Sequence, residues 1–336
     1  MSNPILVELT RGPLVESVHT GSLAIARSNG ELVVSLGDVR RPVFPRSAVK
    51  AFQALPLVES GAAEALGFGD REISIACASH SGTPAHADLA ASMLARAKLT
   101  EAALGCGAHE PMYEASARAL AAAGMKPSQL HNNCSGKHAG MCACAVHHKE
   151  VPAGYWKPEH PVQQRIIKVL RDYTGEALGA DVRGTDGCSA PNWAIPVANL
   201  AHAFAQFITA EGAGKPYRAA SERITKAVWA APDMVAGPGR YDTVVMSKVP
   251  GRVFMKTGAE GVYCGAFPHL GLGFAVKIDD GTKRASEAVI QALLARVLPE
   301  TKGLGEGAVI KNCVGTEVGT ISASGDLQQA LETVTG

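Results

Sequence analysis

The sequence predicts an α+β protein in which an antiparallel sheet, built from both ends of the chain, has flanking helices and an inserted helical lobe. β-rich runs near both ends predict the sheet, and an Ala-rich middle with apolar residues at helical spacing predicts the lobe. Strands at both ends around a helical middle are typical of this class. We expect one domain over 1–336, with sheet-forming parts at about 1–86 and 236–336 and the lobe at about 87–235.

The first part of the sheet is predicted as a hairpin. Two extended runs, 22–26 and 32–36, flank the turn residues Asn29 and Gly30. Asn-Gly between such runs is a strong hairpin signal, because both central turn positions need a positive φ. A helix is then predicted over 46–55 from the spacing of its apolar residues.

The remaining elements follow the same two periodicities. In the middle of the chain, apolar residues at i, i+3 and i+4 predict helices over 87–97, 113–123, 162–173, 197–208 and 220–230. Towards the end, Gly and Pro separate three extended runs, as in an antiparallel meander, at 252–256, 261–267 and 271–278. A helix over 286–298 and a last extended run over 319–323 complete the prediction.

Composition excludes several functions. The chain has 336 residues, 46% of them apolar, and its 32 basic and 31 acidic side chains give a net charge of +1. This balance predicts no nucleic-acid partner, because such binding depends on clustered positive charge. No apolar run of about 18 residues and no basic-then-apolar leader is found, so we expect a cytoplasmic protein with no membrane partner. The eight cysteines are expected to be reduced thiols.

Ser47 and Lys50 stand three positions apart at the start of the predicted helix, so their side chains share one face. A serine is a poor nucleophile until a base removes its proton, and a lysine is such a base only when it is neutral. Lowering the pKa of a lysine from about 10.4 to about 7.5 requires roughly 4 kcal/mol, which demands an enclosed and cation-rich site. A helix-capping serine beside a solvated lysine is the competing interpretation.

Two further motifs favour a catalytic interpretation. Ser79 lies in the loop 79–83 after an apolar segment, and Lys256 begins a Lys-Thr-Gly triplet on a predicted strand. This order of motifs resembles that of penicillin-binding proteins and serine β-lactamases. By this resemblance, the Lys256 ammonium would face Lys50 and lower the pKa of Lys50 by charge repulsion. The middle motif departs from the usual Ser-x-Asn, since Ser81 is its third residue, and no Glu-centred loop of the class A type is evident. A surface lysine at a strand end is the alternative.

Two Gly-rich loops, 131–140 and 184–192, concentrate hydrogen-bonding side chains in an otherwise apolar chain. A phosphate-binding loop is excluded, because His131 stands where that motif requires glycine. Cys134 and Cys188 do not form the paired Cys-x-x-Cys knuckles of a structural zinc site, so their spacing alone does not predict a metal. The composition of the two loops is typical of a pocket for a polar small molecule.

Five segments together resemble the rhizobial-type, or class 3, L-asparaginases, namely 46–50, 79–83, 131–138, 184–188 and 256–261. The Asn-Asn-Cys-Ser-Gly-Lys-His block at 132–138 is highly specific, and the resemblance covers essentially the whole chain. It implies a fold like that of penicillin-binding proteins and serine β-lactamases, and a homodimer. It also implies hydrolysis of L-asparagine to L-aspartate and ammonia, with little action on glutamine.

The same resemblance implies the composition of the site. The implied catalytic groups are two serine–lysine pairs, Ser47 with Lys50 and Ser79 with Lys256. The implied zinc ligands are Cys134, Lys137 and Cys188. The metal would modulate the site instead of activating water, and it would itself hold the lysine ligand deprotonated. The expected substrate contacts are Arg46, Asn132, His138 and Asp186.

The expected reaction is acyl transfer to serine. Ser47 attacks the side-chain amide of asparagine, Lys50 takes its proton, and water hydrolyses the acyl-enzyme. Exchanged roles, with Ser79 attacking, are left open. Two alternatives also stay open. One is a serine hydrolase that recognises β-lactams or D-amino-acid peptides, and the other is a non-enzymatic, metal-responsive binding protein that uses Cys134 and Cys188.

Overall fold

The computed structural model describes residues 2–305 and 308–334, and these fall into two compact units. The sheet unit comprises the described residues up to Ala48, residues Ala194–Gly212 and the described residues from Val244 onwards. The helical unit comprises Val49–Trp193 and Ala213–Thr243. Each unit is therefore assembled from segments that are distant in sequence.

The strands are β1 (Ile5–Arg11), β2 (Leu14–Arg27), β3 (Leu32–Leu36), β4 (Pro42–Val43), β5 (Arg183–Thr185), β6 (Pro191–Trp193), β7 (Ile195–Pro196), β8 (Phe254–Thr257), β9 (Val262–Phe267), β10 (Leu272–Ile278), β11 (Val309–Lys311) and β12 (Glu317–Ala323). Over the described residues, the sheet unit holds an eight-stranded antiparallel sheet of order β11-β12-β1-β2-β10-β9-β8, in which β3 also pairs with β2. Strands from both ends of the chain adjoin one another in this sheet. The predicted α+β class, with a sheet built from both ends of the chain, is confirmed.

The helices are α1 (Lys50–Glu59), α2 (Ala62–Ala65), α3 (Asp70–Ala76), α4 (Pro84–Arg96), α5 (Glu114–Ala122), α6 (Ser135–His147), α7 (Pro161–Thr174), α8 (Val197–Thr209), α9 (Arg218–Ala230), α10 (Pro232–Val235), α11 (Tyr241–Lys248), α12 (Lys283–Val297) and α13 (Gly325–Leu331). In the helical unit, α6 packs against α1, α3, α4 and α7. Its residues from Ser135 to Ala145 are all buried. This helix therefore lies in the core of the helical unit.

The part of the large sheet formed by β9 and the edge strand β8 is buried on both faces. Every residue of β8 and of β9 is buried, whereas a strand with one solvated face alternates between buried and exposed residues. Helix α8 packs against β2, β9 and β10, and helix α12 packs against β1, β9, β10 and β12. These helices cover apolar strands of the sheet, and the neighbouring β8 is also fully buried.

Local predictions hold in most places. β2 and β3 form the predicted hairpin, with Ala26 opposite Leu32. The predicted helix 46–55 is a correction, because the chain forms a 3-10 turn over Arg46–Val49 and the α-helix begins only at Lys50. Arg46 has a φ of +53°, which no α-helix accommodates.

The boundaries of the two units differ from the predicted ones. The helical unit begins at Val49 instead of near residue 87, because α1 and α3 pack against α6 and α9. Conversely, α8 has a helical pattern in the predicted lobe but packs against the sheet. That the whole chain is a single catalytic domain stays a prediction. None of the helices in residues 2–305 and 308–334 has the length and apolar character of a bilayer-spanning segment.

Candidate active site

Lys50, the first residue of α1, is 1% exposed. Its Nζ donates hydrogen bonds to the hydroxyl of Ser79 at 2.9 Å, to the carbonyl of Ala78 at 2.5 Å and to the sulfur of Cys134 at 3.1 Å. The Lys50 amine thus has three hydrogen-bond partners. Lys50 thereby joins the loop of Ser79 to the loop of Cys134.

Ser79 follows α3 in the segment 79–82, here called the serine loop, and is 5% exposed. Its backbone N–H donates to the carbonyl of Val235 at 2.9 Å, and its own carbonyl accepts from Arg240 at 3.5 Å. These contacts hold the Ser79 hydroxyl against Lys50. A hydroxyl bonded to a buried amine is an arrangement in which a lysine can take a serine proton.

Ser47 and Lys256 both belong to the sheet unit. Ser47 is half-buried in the 3-10 turn, directly after Arg46 with its positive φ. A non-glycine residue in the left-handed region is strained, and such strain concentrates at functional sites. Lys256, on β8, is 2% exposed and donates to the carbonyl of Thr257 at 2.7 Å.

Gly258 brings the Lys-Thr-Gly triplet alongside the Ser47 turn. A Cβ at this position would lie 2.7 Å from the carbonyl oxygen of Pro45. Only a glycine permits the two backbones to approach so closely. The predicted catalytic residues Ser47 and Lys256 therefore come from adjoining segments of the sheet unit.

Cys134, Lys137 and Cys188 form a buried group, here called the thiol cluster. The Lys137 Nζ donates to the Cys188 sulfur at 3.1 Å, and the Cys134 thiol hydrogen-bonds to the same sulfur. The bond from Cys134 and the Lys137 ammonium lower the pKa of Cys188, whereas the same bond and burial raise the pKa of Cys134. Burial alone would lower the pKa of Lys137, but the two sulfurs hold it above its usual value. The contacts within the cluster thus favour a thiolate at Cys188 beside an ammonium at Lys137.

The thiol cluster has the donor chemistry of a zinc site. Cysteine sulfur and lysine nitrogen can bind zinc once they are deprotonated. Over residues 2–305 and 308–334, no group of three or more His, Cys, Asp or Glu side chains is placed to hold a metal ion. A site here therefore depends on Lys137 as its third donor. The two cysteines and Lys137 together supply three donors, so this set fits zinc. The presence of zinc stays a prediction.

The segment 130–135, here called the cysteine loop, leads into α6. The side-chain amide of Asn132 donates to the carbonyls of Cys106 and Gly107 at 2.9 and 3.0 Å. Its oxygen accepts from the N–H of Cys134 at 2.9 Å. The amide is therefore engaged at both ends in shaping this loop, and contact between Asn132 and substrate stays a prediction.

Gly136 explains why the cysteine loop lies so close to the serine loop. A Cβ on Gly136 would lie 2.6 Å from the carbonyl oxygen of Ile75, near the end of α3. The start of α6 and the end of α3 thus meet backbone to backbone. This approach brings Cys134 within reach of Lys50, which already contacts the residues that follow α3.

Three further residues were predicted to contact substrate. His138 is 0% exposed and its Nδ1 pairs with the Tyr155 hydroxyl at 2.5 Å. Burial lowers the pKa of His138 to about 4, although the nearby Cys188 opposes this effect. Asp186 lies in the turn before Cys188, and its charge acts on the lysine of the thiol cluster. Contact of substrate with His138, Asp186 or Arg46 stays a prediction.

Sequence reasoning missed three residues that shape the site, namely His80, Ser135 and Tyr155. His80 bonds to the Ser135 hydroxyl at 2.9 Å, and Tyr155 bonds to His138. The only signal for His80 is its place inside the Ser79-centred motif, and that for Ser135 is its place in the specific 132–138 block. Tyr155 lies in no motif.

Comparisons with known proteins were made for the whole chain. A family model described as L-asparaginase II matches residues 7–323. A search of curated proteins found no match. Among solved structures, the chain is similar to Mglu in its native form, with 16% identity over 86% of this chain and 67% of that chain and a TM-score of 0.45. For Mglu in 4.3 M NaCl, the identity is 14% over 78% of this chain and 57% of that chain, with a TM-score of 0.42.

A β-lactamase from Mycobacterium bovis is similar with 16% identity over 80% of this chain and 93% of that chain, at a TM-score of 0.39. The chain spans 57% to 67% of the two Mglu chains. TM-scores this low carry no argument about activity. The family match, in contrast, covers nearly the whole sequence. The chain therefore belongs to the L-asparaginase II family.

Proposed function

We propose that the protein is an amidohydrolase that converts L-asparagine to L-aspartate and ammonia through a serine nucleophile that a lysine activates. The observation that supports this best is the hydrogen bond of 2.9 Å between the buried Lys50 Nζ and the Ser79 hydroxyl. An enclosed lysine that has lost its proton is a base for a serine hydroxyl. The family match supports a small amide as the substrate.

In the proposed reaction, Ser47 attacks the side-chain amide carbon of asparagine and Lys50 accepts the hydroxyl proton. The tetrahedral intermediate then collapses: its C–N bond breaks while the nitrogen gains a proton, and ammonia leaves. Lys50 delivers this proton through Ser79, to which it is hydrogen-bonded. Water hydrolyses the acyl-enzyme, which releases L-aspartate and restores the Ser47 hydroxyl. The alternative exchanges the serines, so that Ser79 attacks.

Three charged side chains have proposed roles in binding the substrate and in stabilising the charge that develops during the reaction. Lys256 supplies positive charge where the oxyanion develops. Arg46 pairs with the α-carboxylate of the substrate, and Asp186 pairs with its α-ammonium. A pocket too short for one more methylene disfavours glutamine, a difference of about 1–3 kcal/mol.

Zinc at the thiol cluster is part of the proposal, with Cys134, Lys137 and Cys188 as the residues that would hold it. When bound, zinc supplies positive charge and a fixed ligand geometry. The Cys134 sulfur also accepts a hydrogen bond from Lys50, so the cluster can influence the catalytic lysine. The homodimer and the cytoplasmic location stay predictions.

Ammonia release from asparagine and from glutamine, measured with the purified full chain, tests the proposal. We expect about 10-fold or more preference for asparagine. Ser47→Ala and Ser79→Ala should each lower kcat by about 10³-fold or more, because each removes a group that acts in the proton transfer. Ser116→Ala is the control, since it lies on α5, none of whose residues is buried.

Trapping the acyl-enzyme for peptide mass spectrometry assigns the nucleophile. An acyl group on the peptide that contains Ser47 supports the first assignment, and one on the peptide that contains Ser79 supports the exchanged one. Hydrolysis of a chromogenic β-lactam without ammonia release from asparagine would overturn the proposed substrate. Full activity in both alanine variants would overturn the mechanism.

A further inference from the structure

The side chain of His80, in the serine loop, is 0% exposed and both of its ring nitrogens are hydrogen-bonded. Nδ1 accepts from the backbone N–H of Gly82 at 3.2 Å. Since Nδ1 is an acceptor, the proton of the neutral ring is on Nε2, which donates to the Ser135 hydroxyl at 2.9 Å. Burial, and then the neighbouring charge of His86, lower the pKa of His80, so the ring stays neutral and keeps this tautomer.

The bridge from His80 continues into the cysteine loop. The Ser135 hydroxyl donates to the carbonyl of Leu130 at 2.9 Å, and the backbone N–H of His80 donates to the carbonyl of Asn133 at 3.1 Å. The ring of His86 stacks on that of His80, with centroids 4.9 Å apart and an interplanar angle of 19°. His80 is therefore joined to the cysteine loop through both its ring and its backbone.

The spacing of the two loops matters because Lys50 contacts both. Its Nζ lies 2.9 Å from the Ser79 hydroxyl and 3.1 Å from the Cys134 sulfur. A displacement of either loop by about 1 Å would break one of these hydrogen bonds, and misplacement of that size lowers catalysis about 10²-fold. A planar ring fixed at both nitrogens is a rigid spacer between the loops.

We propose that His80 is a positioning residue. Its ring, held between Gly82 and Ser135, sets the distance between the serine loop and the cysteine loop and so keeps both within reach of Lys50. This role rests on the proposed function of Lys50 and Ser79.

Two substitutions at His80 separate its two ring hydrogen bonds. In His80→Gln, the amide nitrogen takes the position of Nε2 and can still donate to Ser135. In His80→Asn, the shorter amide can accept from Gly82 but does not reach Ser135. Ser135→Ala removes the acceptor of the bridge. His86→Gln is the matched control, because His86 packs on the same ring but bonds to Thr83 instead.

We expect His80→Asn and Ser135→Ala to lower kcat for asparagine about 10²-fold, with KM changed by less than about threefold, because neither His80 nor Ser135 is a proposed substrate contact. His80→Gln should recover most of that loss, and His86→Gln should keep the wild-type kcat. The double variant His80→Asn/Ser135→Ala should be no slower than either single variant, because both changes break one bridge. Wild-type kcat in His80→Asn or Ser135→Ala, or equal losses in His80→Asn and His80→Gln, would overturn the proposal.

A second measurement, amide hydrogen exchange, does not depend on enzyme activity. Amide hydrogen exchange in peptides that cover 78–83 and 130–136 should be faster in both segments of His80→Asn and Ser135→Ala, but not of His80→Gln. If the wild-type chain releases no ammonia from any amide, the proposed function fails and exchange alone decides on the bridge. Unchanged exchange in all three variants would overturn it.

Discussion

Lys50 and Lys137 are two lysines of the helical unit that are almost fully buried, at 1% and 3% exposed, yet they face different partners. Lys50 donates to a carbonyl, a hydroxyl and the thiol of Cys134. Lys137 donates to the sulfur of Cys188, whose pKa is lowered, and it lies in the field of the Asp186 carboxylate.

The difference shows that burial alone does not set the charge of a lysine. At Lys137, burial disfavours the ammonium form. At Lys137, the surrounding negative charge outweighs burial and raises the pKa, so a metal would have to displace its proton. In the described residues, no carboxylate accepts a hydrogen bond from Lys50. Lys50, and not Lys137, is hydrogen-bonded to a serine hydroxyl, which makes Lys50 the better placed of the two to take a serine proton.

Substitution of each lysine gives the largest expected effect and tests whether the two lysines have separate roles. Lys50→Arg should lower kcat about 10³-fold or more, because a guanidinium keeps its proton at any working pH. Lys137→Met removes a metal donor but leaves Lys50 in place, so kcat should fall at most about 10²-fold. Ammonia release by both variants measures this. Equal losses would mean that the two lysines do not have separate roles.

Removal of the Cys188 sulfur tests whether the partner of Lys137 is a zinc ligand. Cys188→Ala should weaken zinc binding by about 10-fold or more, as measured by competition with a chelating dye. Cys144→Ala is the matched control, because Cys144 is also a fully buried cysteine but lies outside the thiol cluster. Equal zinc affinity in the two variants would exclude the cluster as the metal site.

The close approach of α6 to α3 can be tested at Gly136. Gly136→Ala should lower the free energy of unfolding by about 1–3 kcal/mol and also lower kcat, because the new Cβ pushes Cys134 away from Lys50. Gly325→Ala, at the start of α13, meets nothing within 4 Å and should change stability by less than about 1 kcal/mol. Denaturant unfolding of both variants measures the change in the free energy of unfolding. An unaffected Gly136→Ala would show that the packing at α6 can relax.

The smallest effect concerns the histidines near Lys50. Burial lowers the pKa values of His80 and His86 in the folded protein. Below about pH 6.5 the unfolded chain binds protons there that the folded chain does not, so the free energy of unfolding falls with falling pH, by up to about 1.4 kcal/mol per unit for each histidine. Urea unfolding at about pH 7.5 and 5.5 should show a shallower fall in His86→Gln. An unchanged fall would mean that His86 titrates normally when folded.

Much of the fold was predictable because its signals are local. The hairpin between β2 and β3 follows from Asn29 and Gly30, and the long helices follow from apolar spacing. β1 and the first half of β2 were missed, since their stability comes from pairing with each other and with β12, and Leu14 and Val15 are exposed. The pairing of β1 with β12, unlike the local pairing of β1 with β2, joins segments far apart in sequence and leaves little trace in a short window.

The candidate site was predictable in its residue types but not in its contacts. Spacing pairs Ser47 with Lys50, whereas the hydrogen bond in the structure joins Lys50 to Ser79. The contact between Lys50 and Cys134 depends on how closely α6 approaches α3, which one glycine permits. Contacts of this kind arise from helix packing and cannot be read from the order of motifs.

The pairing of β1 with β12 has a consequence for how the chain is made. Thr10 and Thr320 share a hydrogen bond across 310 positions. At roughly 5–20 residues per second, a ribosome needs on the order of 15–60 s to synthesise the intervening chain. During that interval β1 keeps an open edge, which is a template for pairing with other nascent chains. The yield of native protein therefore depends on how well this edge is shielded during translation.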